Sequence, residues 1–327
     1  MNVLLTGANG FVGSHILDRL LLAGMTPRLL LRRTSDTSLI DHLLPQVEVH
    51  YGSLERPDSL RVPVRGADCI IHCAGKTKST HTQELLRANQ QGTMHLVEAG
   101  NEEAARLQHF IHISSLSVSG PGTVDQPVSE DSPPNPLSRY GKSKMLAESE
   151  VIKRCRTNWT ILRPGPVYGP GDKDMYMTFK PLKRGFLPLL GGGRMRIALV
   201  YAPDVADAVM ACLGRAEVFK KIYHVAAPEP VETGQLLRLA ARLLEVQPRE
   251  VKIPTAALYP VCLFLEAIAR LTGRQLALNL DKLRELRAPG WVCATSKLAR
   301  DIGFEADTPL ERGLAETFEW YHRKEWL

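Results

Sequence analysis

The stretch that most constrains this chain is its beginning. Val3-Leu4-Leu5-Thr6 runs into Gly7-x-x-Gly10-x-x-Gly13, after which Ile16, Leu17, Leu20, Leu21 and Leu22 recur at helical spacing until Gly24. That order reads as strand, tight turn and helix. The three glycines have separate physical tasks: one permits the turn, one lets backbone approach a pyrophosphate, and one lets the helix pack closely on the strand. The helix start then presents free N–H groups and the positive end of its dipole to phosphate oxygens. Glycine-rich turns are common in ordinary loops, so the flanking strand and helix are what make this one a dinucleotide-binding candidate.

The strands that follow extend the pattern. Arg28–Leu31 is a second apolar run, and it ends in Arg32-Arg33-Thr34-Ser35 with no acidic residue before Asp36. An acidic side chain at this place binds a ribose 2′-hydroxyl, whereas arginine suits a 2′-phosphate. Arg32 therefore favours NADP(H), with NAD(H) kept as the second cofactor. Residues 47–51 form a third strand before Gly52-Ser53-Leu54, and residues 69–73 a fourth before Ala74-Gly75. Small residues at strand ends suit close approach of a cofactor at the carboxyl edge of a parallel sheet. The spacing predicts a long helix over 83–105 containing Asn89, and a fifth strand, His109–Ile113, that runs into Ser114-Ser115-Leu116-Ser117. Strands alternating with helices imply a doubly wound parallel sheet with right-handed crossovers.

After a loop rich in proline and serine over 120–136 comes Ser138-Arg139-Tyr140-Gly141-Lys142-Ser143-Lys144, which opens another helix. Tyr140 and Lys144 are four residues apart and so share one helix face. Reduction of a carbonyl by hydride needs a proton for the developing alkoxide. A free phenol, with pKa about 10, is a poor partner at neutral pH unless a cation stabilises its phenolate. Lys144 can supply that charge, and a serine hydroxyl can hold the reacting oxygen.

Length and composition set the outer limits. The 327 residues can bury a large core, and they suit one dinucleotide-binding unit with a smaller part attached. A net charge of +6 permits nucleic-acid binding, but the basic residues are scattered and no nucleic-acid motif is present, so small anionic ligands account for it as well. The six cysteines show no metal-ligand spacing and several sit in apolar runs; they are expected to be reduced core thiols in a cytoplasmic protein without a metal. The first residues read as strand rather than as a signal peptide. The most apolar later stretch, 256–265, is too short to span a bilayer.

Together these motifs resemble the extended short-chain dehydrogenase/reductases, the group that holds nucleotide-sugar epimerases and dehydratases, 3β-hydroxysteroid dehydrogenases and dihydroflavonol reductases. The resemblance is carried by TGANGFVG at 6–13, HCAG at 72–75, NQQGT at 89–93, HISSLSVSG at 112–120, YGKSK at 140–144, RPGPVYGPGD at 163–172 and PDVADAV at 203–209. It implies a catalytic set of Ser115, Tyr140 and Lys144, with Ser115 preferred to Ser114 because it stands five residues before Gly120. It implies a cofactor set of Gly7, Asn9, Gly10, Phe11, Val12, Gly13, Arg32, Ser53, Leu54, Ala74, Gly75, Lys76, Asn89, Tyr140, Lys144, Pro164 and Val167. The implied fold class is α/β, a Rossmann-like doubly wound parallel sheet with a smaller, mostly helical C-terminal substrate lobe. Residues 1–163 and 204–227 would form the dinucleotide-binding domain, and 164–203 and 228–327 the substrate lobe. The family also implies a homodimer paired through helices at 83–105 and 140–155.

Departures from the family pattern narrow the substrate. Ser53 stands where an aspartate often holds the adenine. Ile197, with Arg196 one residue earlier, stands where an arginine often touches a substrate diphosphate, although Arg194 and Arg196 can substitute. Val118-Ser119-Gly120 lacks the usual aromatic residue. These changes, with Arg32, tilt the resemblance toward the steroid-dehydrogenase and dihydroflavonol-reductase branch. The stretch 256–271 is apolar around most of its circumference and is expected to pack into the core of the lobe. Its functional alternatives are a pocket wall for a hydrophobic substrate or a membrane-surface contact. Trp320, Tyr321 and Trp326 are expected to be packing residues on the second of two C-terminal helices.

The expectation is an NAD(P)-dependent oxidoreductase that interconverts a ketone and a secondary alcohol on a small hydrophobic molecule, with Tyr140 as acid/base. The alternatives are a nucleotide-sugar epimerase or dehydratase with tightly held NAD, and a non-catalytic NADP(H)-binding sensor or scaffold.

Overall fold

The N-terminal motif folds as its glycines require. Val3–Thr6 (β1) is buried along its length, the chain turns at Gly7, and Phe11–Leu22 (α1) follows with Ile16, Leu17 and Leu20 on its buried side. The computed structural model describes residues 1–79, 81–272 and 279–327. Arg28–Leu31 (β2), Glu48–Tyr51 (β3), Cys69–His72 (β4), His109–Ile113 (β5), Asn158–Pro164 (β6) and Lys221–Val225 complete the sheet. Its helices include Gly92–Glu102 (α2) and Arg139–Arg154 (α3).

Beyond β6 the chain leaves the sheet through Lys173–Lys183 (α4) and Phe186–Leu190 (β7). It returns with Ala202–Cys212 (α5) and the last sheet strand, Lys221–Val225 (β8). It leaves again through Thr233–Leu243 (α6), Arg249–Ile253 (β9), Leu258–Thr272 (α7), Leu280–Leu286 (α8), Ser296–Ile302 (α9) and Leu310–Arg323 (α10).

The seven strands lie in the order β8-β6-β5-β4-β1-β2-β3, every pair parallel. The order reverses between β1 and β4, the place where parallel sheets open a crevice at their carboxyl ends. Alternation along β1 feeds two layers. Val3 and Leu5 pack with Ile16 and Leu20 of α1 and with Val205 and Val209 of α5. Leu4 turns to the opposite layer with Leu96, Val97, Phe110 and Val151. A third apolar cluster, in the part beyond the sheet, joins Phe179, Leu187, Leu189, Leu236, Leu237, Phe318 and Tyr321.

Two expectations are corrected. The helix expected over 83–105 is broken into Thr82–Leu85, a π-helical turn at Leu86–Gln91 and α2, which ends at Glu102. The π turn forms because Asn89 bridges to two other elements instead of keeping a regular helical register. The second correction is α7. It is helical as expected but is not packed into the lobe: Tyr259, Val261, Leu263 and Phe264 are exposed. The Gly273 that follows it lies outside the described residues. Among those residues no helix is long and apolar enough to cross a membrane.

Candidate active site

The glycine turn closes with Gly10 N–H donating to the Gly7 carbonyl at 3.0 Å. A Cβ on Gly7, whose φ is +76°, would lie 2.5 Å from Ala74 N, and one on Gly13 would lie 2.0 Å from the Gly7 oxygen. Neither contact is tolerable, so the chain must be glycine at both positions. Gly10 caps α1 without a side-chain hydrogen bond, which leaves the first N–H groups of the helix, at Phe11, Val12 and Gly13, facing an exposed glycine. This cradle fits a pyrophosphate. Asn9 Nδ2 donates to the Asp36 carbonyl at 3.0 Å and so fixes the turn against the loop after β2. Arg32 is exposed at the start of that loop, while Arg33 lies over the Tyr51 ring at 4.9 Å.

Ser53 is spent locally: its Oγ accepts from Glu55 N–H at 3.2 Å, and its own N–H donates to Ser59 Oγ. Leu54 packs against Gly92, and its carbonyl bonds His95. After β4, Ala74 N–H donates to Thr6 Oγ1 at 3.3 Å. Asn89, buried, accepts from Lys76 N–H at 2.7 Å, donates to the Lys76 carbonyl at 2.9 Å, and donates to Ser143 Oγ at 2.8 Å. One side chain thus ties the strand-end loop at Gly75 and Lys76 to α3. Pro164 ends β6 beside Val225, and Val167 pairs with Val200.

Ser138 caps α3 by accepting from Gly141 N–H, so Tyr140 and Lys144 lie on its first turns. Ser115 is the polar neighbour of the Tyr140 phenol. Ser115 Oγ accepts from Ser117 N–H at 3.1 Å and from the Ser117 hydroxyl at 2.8 Å. Ser114 is buried and gives its hydroxyl to Glu148. Burial pushes the Tyr140 phenol up to about 12, and the neighbouring Ser115 opposes the shift. Burial lowers the Lys144 ammonium to about 8, opposed by Cys73 and Glu148.

Lys144 is held by β5. Its Nζ donates to the Ile113 carbonyl at 2.7 Å and sits 3.3 Å from His112 Nε2. Burial holds His112 well below its ordinary value and His72 at about 3, so both rings are neutral. The bonding around His72 assigns its tautomer. Thr93 Oγ1 donates to the Asn89 carbonyl at 2.6 Å, so it accepts from His72 Nε2–H, and Nδ1 accepts from Thr6. This chain links the base of the glycine turn to Asn89 beneath the lysine.

Three participants escaped the sequence reading. Cys73, taken as a core thiol, is a neighbour of both Tyr140 and Lys144, and burial keeps it protonated with a pKa of about 12. Glu285 of α8 also acts on Tyr140. The neighbouring Arg139 bonds Asp281 of α8 at 2.5 Å and lies 4.0 Å from Glu266 of α7. These contacts come from remote parts of the sequence, and only the tandem of His72 and Cys73 before Ala74 hinted at one of them. Arg196, a candidate for a diphosphate, is paired with Glu232 at 3.2 Å. Among the described residues no group of three or more His, Cys, Asp or Glu side chains could hold a metal ion.

Comparison with known proteins agrees with this architecture. The chain is 29% identical to a ceramide reductase of Caulobacter vibrioides, over 99% of this chain and 96% of the relative. It is 24% identical to a 4-hydroxy-2-methyl-3-oxo-4-farnesyl-3,4-dihydroquinoline-1-oxide ketoreductase of Stigmatella aurantiaca, over 87% and 90%. The crystal structure of gox2253 superposes with a TM-score of 0.82 at 25% identity, covering 100% of this chain and 99% of the other. Residues 3–226 match the model of the NAD dependent epimerase/dehydratase family. The chain therefore belongs to that family and is an enzyme of the extended short-chain dehydrogenase/reductase type.

Proposed function

We propose that the protein is an NADP(H)-preferring reductase that interconverts a ketone and a secondary alcohol on a molecule with a long hydrocarbon body. The observation that supports the reading is the grouping of Tyr140 with Ser115, just past the carboxyl end of β5, on the helix that carries buried Lys144. The glycine cradle would hold the pyrophosphate, and Arg32 the 2′-phosphate. Lys144 and Asn89 would flank the nicotinamide ribose and the loop beneath it. Bound there, the dinucleotide supplies or accepts the hydride.

The chain's own residues supply the rest. Ser115 Oγ orients the carbonyl oxygen by donating a hydrogen bond to it, and Tyr140 Oη gives that oxygen its proton as negative charge develops. A phenol held protonated suits donation, and burial keeps it so at neutral pH. Lys144 is charged below about pH 8 and returns the site toward neutrality once the phenol has lost its proton. The hydrocarbon body is supported by the ceramide reductase and the farnesyl-quinoline ketoreductase among the relatives. Pairing of Arg196 with Glu232 weighs against a diphosphate-bearing substrate.

The test is to follow NADPH oxidation by the purified protein with long-chain ketones, UDP-sugars as the comparison, and Tyr140→Phe as the control. Reduction of the ketones that falls by about 10²–10⁴-fold in the variant, with NADPH affinity kept, is expected. Turnover of UDP-sugars without added cofactor would replace the reductase with an epimerase. An unaffected Tyr140→Phe variant would remove the tyrosine from the chemistry.

A further inference from the structure

Over residues 258–268, helix α7 is built inside out. Its outward residues, Tyr259, Pro260, Leu263, Phe264 and Ala267, carry no charge, and Tyr259, Leu263 and Phe264 are 50%, 45% and 67% exposed. Its one acidic residue within 258–268, Glu266, faces the protein, with its side chain 14% exposed beside Arg139. An ordinary surface helix buries its apolar stripe and shows its charges to water. The same surface continues into the two-stranded β7–β9 pair that leads to α7. Phe186 and Pro188 of β7 are registered with Arg249 and Val251 of β9, so the four share a face on which Phe186 and Val251 are exposed. The loop after β7 lies near the turn that leads into the helix: a Cβ added at Gly191 would meet Thr255 at 3.5 Å.

The fringe of this apolar surface is basic. Lys183 and Arg184 stand exposed before β7, and Arg249 and Lys252 are exposed on β9. The one acidic residue over 248–265, Glu250, is neutralised by Arg238 at 2.6 Å. Bulky apolar side chains flanked by cations match the acyl and headgroup levels of an anionic bilayer. At 15 residues α7 is too short to cross such a bilayer.

We infer that α7 and the β7–β9 face dock the protein on an anionic lipid surface. The docked helix stands next to the site, because Arg139 joins Glu266 of α7 and Asp281 of α8 to the residue preceding Tyr140. A molecule with a long hydrocarbon body would then reach Ser115 and Tyr140 without leaving the bilayer. That use of the contact rests on the substrate class proposed above; the contact itself rests on the surface alone.

The test is sedimentation of the full protein, free of substrate, with vesicles of phosphatidylcholine alone and of phosphatidylcholine mixed with phosphatidylglycerol, at low and high salt. Binding is expected to the mixed vesicles, weaker at high salt and weaker still to the neutral ones. Leu263→Glu/Phe264→Glu should lose about tenfold or more of that partitioning, with its melting temperature and NADPH affinity kept. Val62→Glu, at another exposed apolar position, should change nothing. Absence of vesicle binding, or equal binding by the double variant, overturns the inference. So does a double variant that shifts a dimer to a monomer in light scattering while vesicle binding is unchanged, since the face would then join two copies. Vesicle binding by a protein that reduces no long-chain ketone would keep the docking surface and remove the substrate reading; the converse result would do the reverse.

Discussion

Arg32 and Arg33 are adjacent in sequence but differ in what the fold has already asked of them. Arg33 rests on Tyr51, whereas Arg32 is exposed at the start of the loop after β2. A charge-assisted contact to a 2′-phosphate is worth about 1.5–3 kcal/mol, which is roughly tenfold to a hundredfold in affinity. Arg32→Asp should weaken NADPH by that factor while leaving NADH equal or tighter, and Arg33→Asp should do less. Calorimetric titration with both cofactors decides it, and an unchanged ratio would leave Arg32 a solvated loop residue. Lys144 makes a second prediction. Its folded pKa of about 8 lies below its ordinary 10.5. Between those values the unfolded chain holds a proton that the folded one has released. The penalty of burying the ammonium is therefore full below pH 8 and fades as the pH rises toward 10.5. The difference in unfolding free energy between the protein and Lys144→Met should shrink across that window in urea titrations. A difference that is flat with pH would mean that the lysine is hydrated rather than buried.

At the scale of elements, the joint that matters is between α3 and β6. Arg163 and Glu148, each 3% exposed, meet through two bonds of 2.6 and 2.9 Å, and Arg163 reaches on to Ser119 at 3.0 Å. Glu148 sits one turn beyond Lys144, so this ion pair fixes the rotation of the helix that presents Tyr140 and Lys144. Removing one partner strands a buried charge at about 3–5 kcal/mol, while replacing both by apolar residues restores most of the loss. Glu148→Leu should lower the unfolding free energy from urea titration by that amount, and Glu148→Leu/Arg163→Met should recover most of it. If the single variant were as stable as the parent, the pair would be decoration. Ser-Arg-Tyr at the head of α3 was readable because a cap and a four-residue spacing are local facts of helix geometry, and the glycine turn was readable for the same kind of reason. The π turn at Asn89, the consumption of Ser53 and the place of Cys73 were not, since each is set by partners tens of residues away. Helix α7 misled because an apolar circumference reads as burial, and the orientation of Glu266 depends on Arg139, which lies more than a hundred residues earlier.

Over the whole molecule, the C-terminal segment fastens the sheet to the part that leaves it. Thr308 Oγ1 donates to Asp204 of α5 at 2.5 Å, and Tyr201 donates to Glu316 of α10 at 2.6 Å. From the same helix, Tyr321 donates to the Asp172 carbonyl at 2.7 Å, and Trp320 and Trp326 pack around it with Tyr176. At Gly313 an added Cβ would lie 2.4 Å from the Tyr168 hydroxyl, so α10 seats directly on the chain leaving β6. Contacts this close couple the stability of both parts, and the molecule should unfold in one step. Trp159 belongs to the sheet, so in Trp159→Phe the fluorescence reports mainly the C-terminal aromatic cluster, while far-UV ellipticity reports the whole fold. Both signals should share one urea midpoint. NADPH at a hundredfold its dissociation constant should stabilise both by about 2.7 kcal/mol, although the cradle proposed for it lies in the first strand and helix. Two transitions, with only the ellipticity moved by NADPH, would mean that the C-terminal part folds on its own and meets the cofactor domain as a separate body.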